Sequence, residues 1–322
     1  MKAIFFSRYG STKNLQIKEL SKPTPKPEEV LIRVVTTAVN DWDWGMIHGK
    51  PLIMRMMFGL FKPKKNIPGM ELAGIVEACG SYVTEFKVGD PVYGDTSECA
   101  FGTFAEYICV HQKALTLKPE HLSFEEATSL PHAGMLAYQG LFDLGNLQKG
   151  QKVLINGAGG GVGTMTVQLA KSFDVEITGV DTGEKLRLMK ELGYDHVIDY
   201  KAQNFTKNGE QYDLILDNKT YLSPFAYLRS LKPGGLYITI GGNLLKIMWV
   251  LMIGPLLGRR SKKRFHLLSL KANKDLAYLS DQAKAGQLKC IIDGPYPFEK
   301  SAWAIQYFGE GKHRGKVVIT VS

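Results

Sequence analysis

Cysteine is scarce in this chain. Four cysteines stand among 322 residues, Cys79, Cys99, Cys109 and Cys290, and no two form a CxxC pair. That spacing argues against a disulfide framework and against a four-cysteine zinc lobe, so the four read as free thiols of a reducing cytoplasm. Long apolar runs are also missing. The strongest one, LLKIMWVLMIGPLL at 244–257, has 14 residues, and a membrane-crossing helix needs about 20. The opening MKAIFFSRYG has neither the apolar core nor the small-residue cleavage pattern of a secretory signal. No internal repeat is present.

Acidic charge is in deficit, with 31 Asp and Glu against 40 Lys and Arg, a net charge of +9. Basic residues gather at 62–65, 259–264 and 312–316. Solvated surface, the field of an anionic cofactor and an anionic membrane surface all accommodate such clusters. Nucleic acid is disfavoured, because no nucleic-acid-binding module accompanies the charge. Hydrophobic residues make up 44 % and charged residues 22 %, which places the chain among ordinary globular proteins, and its length suits two domains.

The first 120 residues read as antiparallel β structure, with strands expected at 1–6, 29–37, 72–78 and 104–110 between Pro- and Gly-marked turns. Ser123-Phe-Glu-Glu126 is a capping box that begins helical territory. Strand and helix then alternate: strands at 153–156, 175–180, 195–198, 214–217 and 236–241, and helices at 161–172, 184–192 and 224–231. Such alternation predicts a doubly wound parallel sheet. The tail carries a helix at 275–285 and a strand at 316–321, and is expected to return to the first domain. Two segments break the pattern. The stretch 244–257 with its basic flank reads as a buried or interface helix, or as one lying on a membrane surface. The loop 51–65, rich in Met and Phe, reads as the wall of an apolar substrate pocket.

The chemistry concentrates at Lys152-Val-Leu-Ile-Asn-Gly157-Ala-Gly-Gly160-Gly161-Val162-Gly163. A strand falls into glycines three apart and climbs into a helix. Glycines allow a tight turn and close approach to a pyrophosphate, and the helix start offers unpaired N–H groups to the anion. Asp181, 18 residues beyond Gly163, closes the next strand where an acid accepts from the adenosine ribose, which favours NAD. A helix cap is its bland alternative.

The chain resembles the medium-chain dehydrogenase/reductase superfamily, in its zinc-free quinone-oxidoreductase-like branch. The likeness rests on Ala38-Val-Asn40-Asp-Trp-Asp43, Ile67-Pro-Gly-Met70-Glu-Leu-Ala-Gly-Ile-Val76, Phe86 to Gly94, Gly102-Thr-Phe-Ala-Glu-Tyr107, Leu130-Pro-His132-Ala-Gly134 and Gly157 to Gly163. It implies an α/β chain: a GroES-like antiparallel β catalytic domain at 1–122, completed by 265–322, with an inserted Rossmann domain at 123–264. Zinc-bearing members place Cys, His and usually Cys at positions that here hold Asn40, Met70 and His132, so the resemblance implies no zinc.

Similar reductases hold the 2′-phosphate of NADPH with a Lys and a Tyr that match Lys185 and Tyr200. Against Asp181, these tip the cofactor to NADPH, with NADH the alternative. By the same resemblance Asn40 and Asp43 lie at the nicotinamide end and are the catalytic candidates. Gly241, Gly242 and Asn243 stand at the cofactor edge, and Arg314 is a further candidate there. Two departures weaken the match: Lys50 and Pro51 stand where a tyrosine is usual, and Leu136 where a threonine is. His48 is a nearby loop histidine. Without a Lewis acid, activated acceptors are the expected substrates, namely quinones or α,β-unsaturated carbonyls. The alternatives are an NAD-linked zinc-free alcohol dehydrogenase and a membrane-surface nucleotide-binding protein of weak catalysis. A homodimer and peripheral membrane contact through 244–264 are the expected macromolecular partners.

Overall fold

The computed structural model describes residues 1–322, which form two compact units. One comprises Met1–His132, Ala272–Ser280 and Ile292–Ser322; the other comprises Ala133–Lys271 and Asp281–Ile291.

The first unit is built on a mixed seven-stranded sheet. Its order runs Ile292–Pro297, Lys316–Thr320, Glu29–Ala38, Glu71–Cys79, Pro91–Asp95, Thr116–Leu117, and Tyr107–His111 also pairs with Glu29–Ala38. Alternation in Glu-Val-Leu-Ile-Arg-Val puts Val30, Ile32 and Val34 on one face, packed with Leu72, Val76 and Val92. Register then decides which polar residues meet. Val318 pairs with Ala38 in the antiparallel ladder, so two residues further along Lys316 arrives opposite Asn40. Glu71 pairs with Asp95 on the next ladder, at the same end of the sheet.

Two short helices follow Asn40. Asp41–His48 stops at Gly49, whose φ of 59° is left-handed, and it buries Met46 and Ile47 among Phe6, Phe104 and Val317. Residues 52–58, expected as loop, form the helix Leu52–Phe58, which buries only Met54 and Phe58. Leu52, Ile53, Met56 and Met57 face solvent instead, as do Leu60 and Phe61 beyond the helix. The strand expected at 104–110 begins later, as Tyr107–His111, because Phe104 is drawn into the core beside Phe6.

The second unit holds a six-stranded sheet, parallel throughout, in the order His196–Asp199, Glu176–Asp181, Lys152–Asn156, Tyr212–Asp217, Leu231–Thr239, Arg264–Leu267. The chain lays its first three strands outward in one direction, then returns to the other side of Lys152–Asn156. The switch point therefore lies between Lys152–Asn156 and Tyr212–Asp217, where open α/β sheets bind ligands at their carboxyl ends.

Residues 244–258 form the helix Leu244–Gly258, and no helix is long and apolar enough to cross a membrane. Its buried positions are Val250, Gly254 and Gly258, four apart. A Cβ at Gly254 would lie 2.6 Å from the Phe265 ring, so the missing side chain lets the helix seat closely on the last strand. Leu244, Ile247, Leu251, Ile253 and Leu257 flank that stripe half-buried.

Candidate active site

In the second unit the glycine turn is built for close approach. Gly157 has a φ of 84°, a left-handed conformation that side chains resist. A Cβ at Gly163 would lie 2.5 Å from Ala158 Cα and from the Gly157 carbonyl. Gly160 caps the helix Gly161–Ala170 without a side chain, so no side-chain cap occupies the helix start, where the N–H groups of Gly161, Val162 and Gly163 lie. The buried Tyr194 hydroxyl braces the turn from behind, donating to the Gly163 carbonyl at 2.8 Å. Burial holds that phenol well above the usual range.

Asp181 is turned toward this turn. Its Oδ2 accepts the Gly159 N–H at 2.9 Å, its Oδ1 accepts the Thr182 N–H, and Lys185 Nζ lies 3.3 Å from Oδ1. Both side chains are buried, at 8 % and 5 % exposure, so the aspartate and lysine form a desolvated pair. The Lys185 stem crosses Gly159, where a Cβ would meet Lys185 Cδ at 2.7 Å. Tyr200 is attached to the same spot by its N–H on the Asp181 carbonyl, and its exposed ring lies 6.2 Å from Tyr221.

Behind the switch point sits a polar network that the sequence did not disclose. The buried Asp217 carboxylate accepts from Asn156 Nδ2 at 2.7 Å, from Tyr237 OH at 2.8 Å and from the Lys219 and Thr220 N–H groups. Burial still raises its pKa, in spite of these donors. The network fixes the loop after Asp217. Gly242, with a φ of 123°, packs so closely on that loop that a Cβ would lie 2.2 Å from the Lys219 carbonyl. Gly241 stands beside it. Asn243 caps Leu244–Gly258 through its side chain, which accepts the Lys246 N–H at 3.2 Å. Asn218 packs against Gly157, and its buried Oδ1 has no hydrogen-bond partner. The glycine turn, the helix start without a side-chain cap and the unpartnered Asn218 Oδ1 fit a dinucleotide.

In the first unit the residues of interest meet at the sheet end. Asn40 Oδ1 accepts from Lys316 Nζ at 2.6 Å, and Asn40 Nδ2 donates to Glu71 Oε1 at 2.9 Å. Lys316 also pairs with Glu71 Oε1, whose other oxygen accepts the His132 N–H at 3.1 Å. His132 Nδ1 is 2.8 Å from Asp95 Oδ2. Burial would raise Asp95, but the His132 hydrogen bond and charge, with Ser97, hold it below the ordinary carboxylate range.

Asp43 accepts the Asn40 N–H at 2.8 Å on one oxygen and the Gly69 N–H at 2.6 Å on the other. It is fully buried, and that burial pushes its pKa up to about 7 against the two donors. Its carboxylate thus ties the helix start to the Ile67-Pro-Gly loop. His48 Nδ1 is 2.9 Å from the Trp44 carbonyl. Arg314 is exposed, with its N–H on Asp293 Oδ2 at 2.8 Å. Glu71 and Lys316 are the participants sequence reasoning missed. Glu71 lay inside a quoted motif, but nothing local marks Lys316.

Comparison with known proteins agrees with both units. Residues 26–120 match the alcohol dehydrogenase GroES-like domain, and residues 192–319 the zinc-binding dehydrogenase family. The chain is 32 % identical to 2-methylene-furan-3-one reductase of Solanum lycopersicum over 334 residues, covering 99 % of this chain and 79 % of that one. It is 30 % identical to the NADPH-dependent alkenal/one oxidoreductase, chloroplastic, of Arabidopsis thaliana, with the same coverage. Among solved structures, the quinone oxidoreductase from Coxiella burnetii superposes with a TM-score of 0.89 at 25 % identity, covering 100 % of this chain and 99 % of that one. The chain belongs to the medium-chain dehydrogenase/reductase superfamily, in its quinone-oxidoreductase-like branch.

Proposed function

We propose that this chain is an NAD(P)H-dependent oxidoreductase that reduces quinones or α,β-unsaturated carbonyls. The observation that carries the reading is the glycine turn and its helix N-terminus at the switch point of a parallel sheet. Relatives named as an alkenal/one oxidoreductase and as a furanone reductase support the acceptor class. A bound reduced nicotinamide supplies a hydride to the electrophilic carbon of the acceptor.

The chain's own residues do the rest. The N–H groups of Gly161, Val162 and Gly163 receive the pyrophosphate charge. Lys185 neutralises Asp181, which removes the repulsion a lone carboxylate would exert on a 2′-phosphate, and Tyr200 offers its ring beside that pair. These features favour NADPH over NADH. Gly241, Gly242, Asn243 and Arg314 we assign to the remaining cofactor contacts. We assign Asn40, whose amide is held between Lys316 and Glu71, to orienting the acceptor. Asp43 acts on Asn40 as a positioning group, since both its oxygens are engaged.

We read the site as zinc-independent. Of the three donor positions only His132 is a good ligand, and the Asn40 oxygen already accepts from a buried ammonium, whose positive charge opposes a cation there. We place the GroES-like domain at 1–122 with 265–322 and the Rossmann domain at 123–264, except that the strand Arg264–Leu267 and residues Asp281–Ile291 go with the second unit, and we place the protein in the cytoplasm. Stopped-flow oxidation of NADPH with a 1,4-quinone and with an enone tests the function. Turnover with at least one is expected, and none with either would overturn the reading.

A second reading concerns partners. Leu245, Met248, Trp249, Met252 and Leu256 are exposed on Leu244–Gly258, and Arg259, Arg260, Lys262 and Arg264 follow them, also exposed. Apolar side chains with a basic collar suit an anionic bilayer surface, with Trp249 at headgroup depth. Arg264–Leu267 is also a terminal strand, whose open edge suits pairing with a second copy. Co-sedimentation with phosphatidylserine vesicles, lost on reversing the charges at 259–264, supports the membrane. A dimer at all lipid concentrations with no vesicle binding supports the second copy alone.

A further inference from the structure

The orphan acceptor at the switch point has a chemical consequence. Asn218 is pinned twice to the neighbouring strand end: its N–H donates to the Asn156 carbonyl at 3.0 Å and its Nδ2 donates to the same carbonyl at 2.9 Å. The second bond fixes the amide orientation, because a flipped side chain would set oxygen against oxygen. Oδ1 therefore points away from Asn156, is buried and has no partner. A buried acceptor without a donor is costly, and such atoms are rare unless a ligand completes them. Asn218 also lies against the glycine turn, since a Cβ at Gly157 would sit 3.1 Å from Asn218 Cβ.

Sheet order says which half of the cofactor this atom meets. The pyrophosphate belongs at the start of Gly161–Ala170, above the strand Lys152–Asn156. Asp181 ends the strand on one flank, the side where an acid marks the adenosine ribose. Asn218 follows the strand on the opposite flank. The two halves of a dinucleotide diverge across the switch point, so the Asn218 flank takes the nicotinamide half. An acceptor there calls for a hydroxyl donor. Resting on the NAD(P)H reading above, we propose that Asn218 Oδ1 accepts a hydrogen bond from a hydroxyl of the nicotinamide-side ribose, and so positions the reacting half of the cofactor.

Equilibrium titration tests this, with NADPH and with 2′,5′-ADP, which carries only the adenosine half. Asn218→Ala is expected to weaken NADPH about tenfold and to leave 2′,5′-ADP within about twofold. Equal weakening of both ligands would overturn the assignment, since Asn218 would then act only by shaping the turn. Unchanged NADPH affinity in Asn218→Ala would overturn it too. Wild-type protein that binds neither NADPH nor NADH would instead bring down the parent reading, and this result is distinguishable from the others.

Discussion

The ammonium of Lys316 donates to the amide oxygen of Asn40 at 2.6 Å, joining residues 276 positions apart in the chain. Both are nearly inaccessible, and Glu71 bonds to each of them. The asparagine that opens the helix Asp41–His48 is thus held at both ends of its amide by a buried ion pair. This arrangement fixes the orientation of the Asn40 amide.

Lys316→Met removes the cation and leaves Glu71 buried without its counter-charge. Breaking a buried pair this way costs roughly 3–5 kcal/mol. Urea unfolding should show that loss, and Lys316→Met combined with Glu71→Gln should recover a large part of it. Additive losses in the double variant would mean that the two groups are not coupled.

Asp43 gives a pH signature. Its carboxyl is pushed up to about 7 in the folded chain from an ordinary value of 3.8. Between those values the unfolded chain is ionised while the folded one stays protonated, so stability falls as pH rises through the interval and levels off above it. At 1.36 kcal/mol per pH unit, the fall from pH 5.5 to 8.5 is on the order of 2 kcal/mol. Denaturant midpoints across that range should show it, and Asp43→Asn should flatten the slope. An equally steep slope in the variant would assign the effect elsewhere.

The proposed role of Lys185 is to set the cofactor's phosphate preference. Lys185→Ala leaves Asp181 bare beside the ribose site, so the ratio of kcat/KM for NADPH over NADH should fall tenfold or more, about 1.4 kcal/mol of discrimination. A ratio unchanged by the substitution would detach Lys185 from the 2′-phosphate.

The proposed zinc independence has a direct consequence. Prolonged dialysis against a strong chelator should change NADPH oxidation by less than about twofold, since one good ligand cannot hold the ion. Loss of activity restored by added zinc would contradict the reading.

What the sequence disclosed follows from the range of the interactions. The glycine turn was legible because its strand, turn and helix are contiguous, and each glycine answers a local demand. Asp43 was half legible: its spacing from Asn40 is that of a capping box, whereas its bond to the Gly69 N–H needs the tertiary fold. Lys316 was illegible because only the ladder register of a C-terminal strand brings it to Asn40. The helix Leu52–Phe58 passed for a loop because Pro51 offers no side-chain cap and only Met54 and Phe58 are buried. At Leu244–Gly258, composition left core, interface and surface all open. Gly254 and Gly258 let the helix seat closely along the Val250 stripe, while Leu245, Met248, Met252 and Leu256 stay exposed.

The central claim is hydride transfer from a nicotinamide to an activated acceptor. Its most direct measurement is a reaction of NADPH deuterated at C4 with an α,β-unsaturated ketone, followed by mass and magnetic-resonance analysis of the product. Deuterium at the β-carbon of a saturated ketone is the expected result. NADPH oxidation that leaves the ketone unlabelled, or no oxidation with this ketone or with a quinone, would contradict the account.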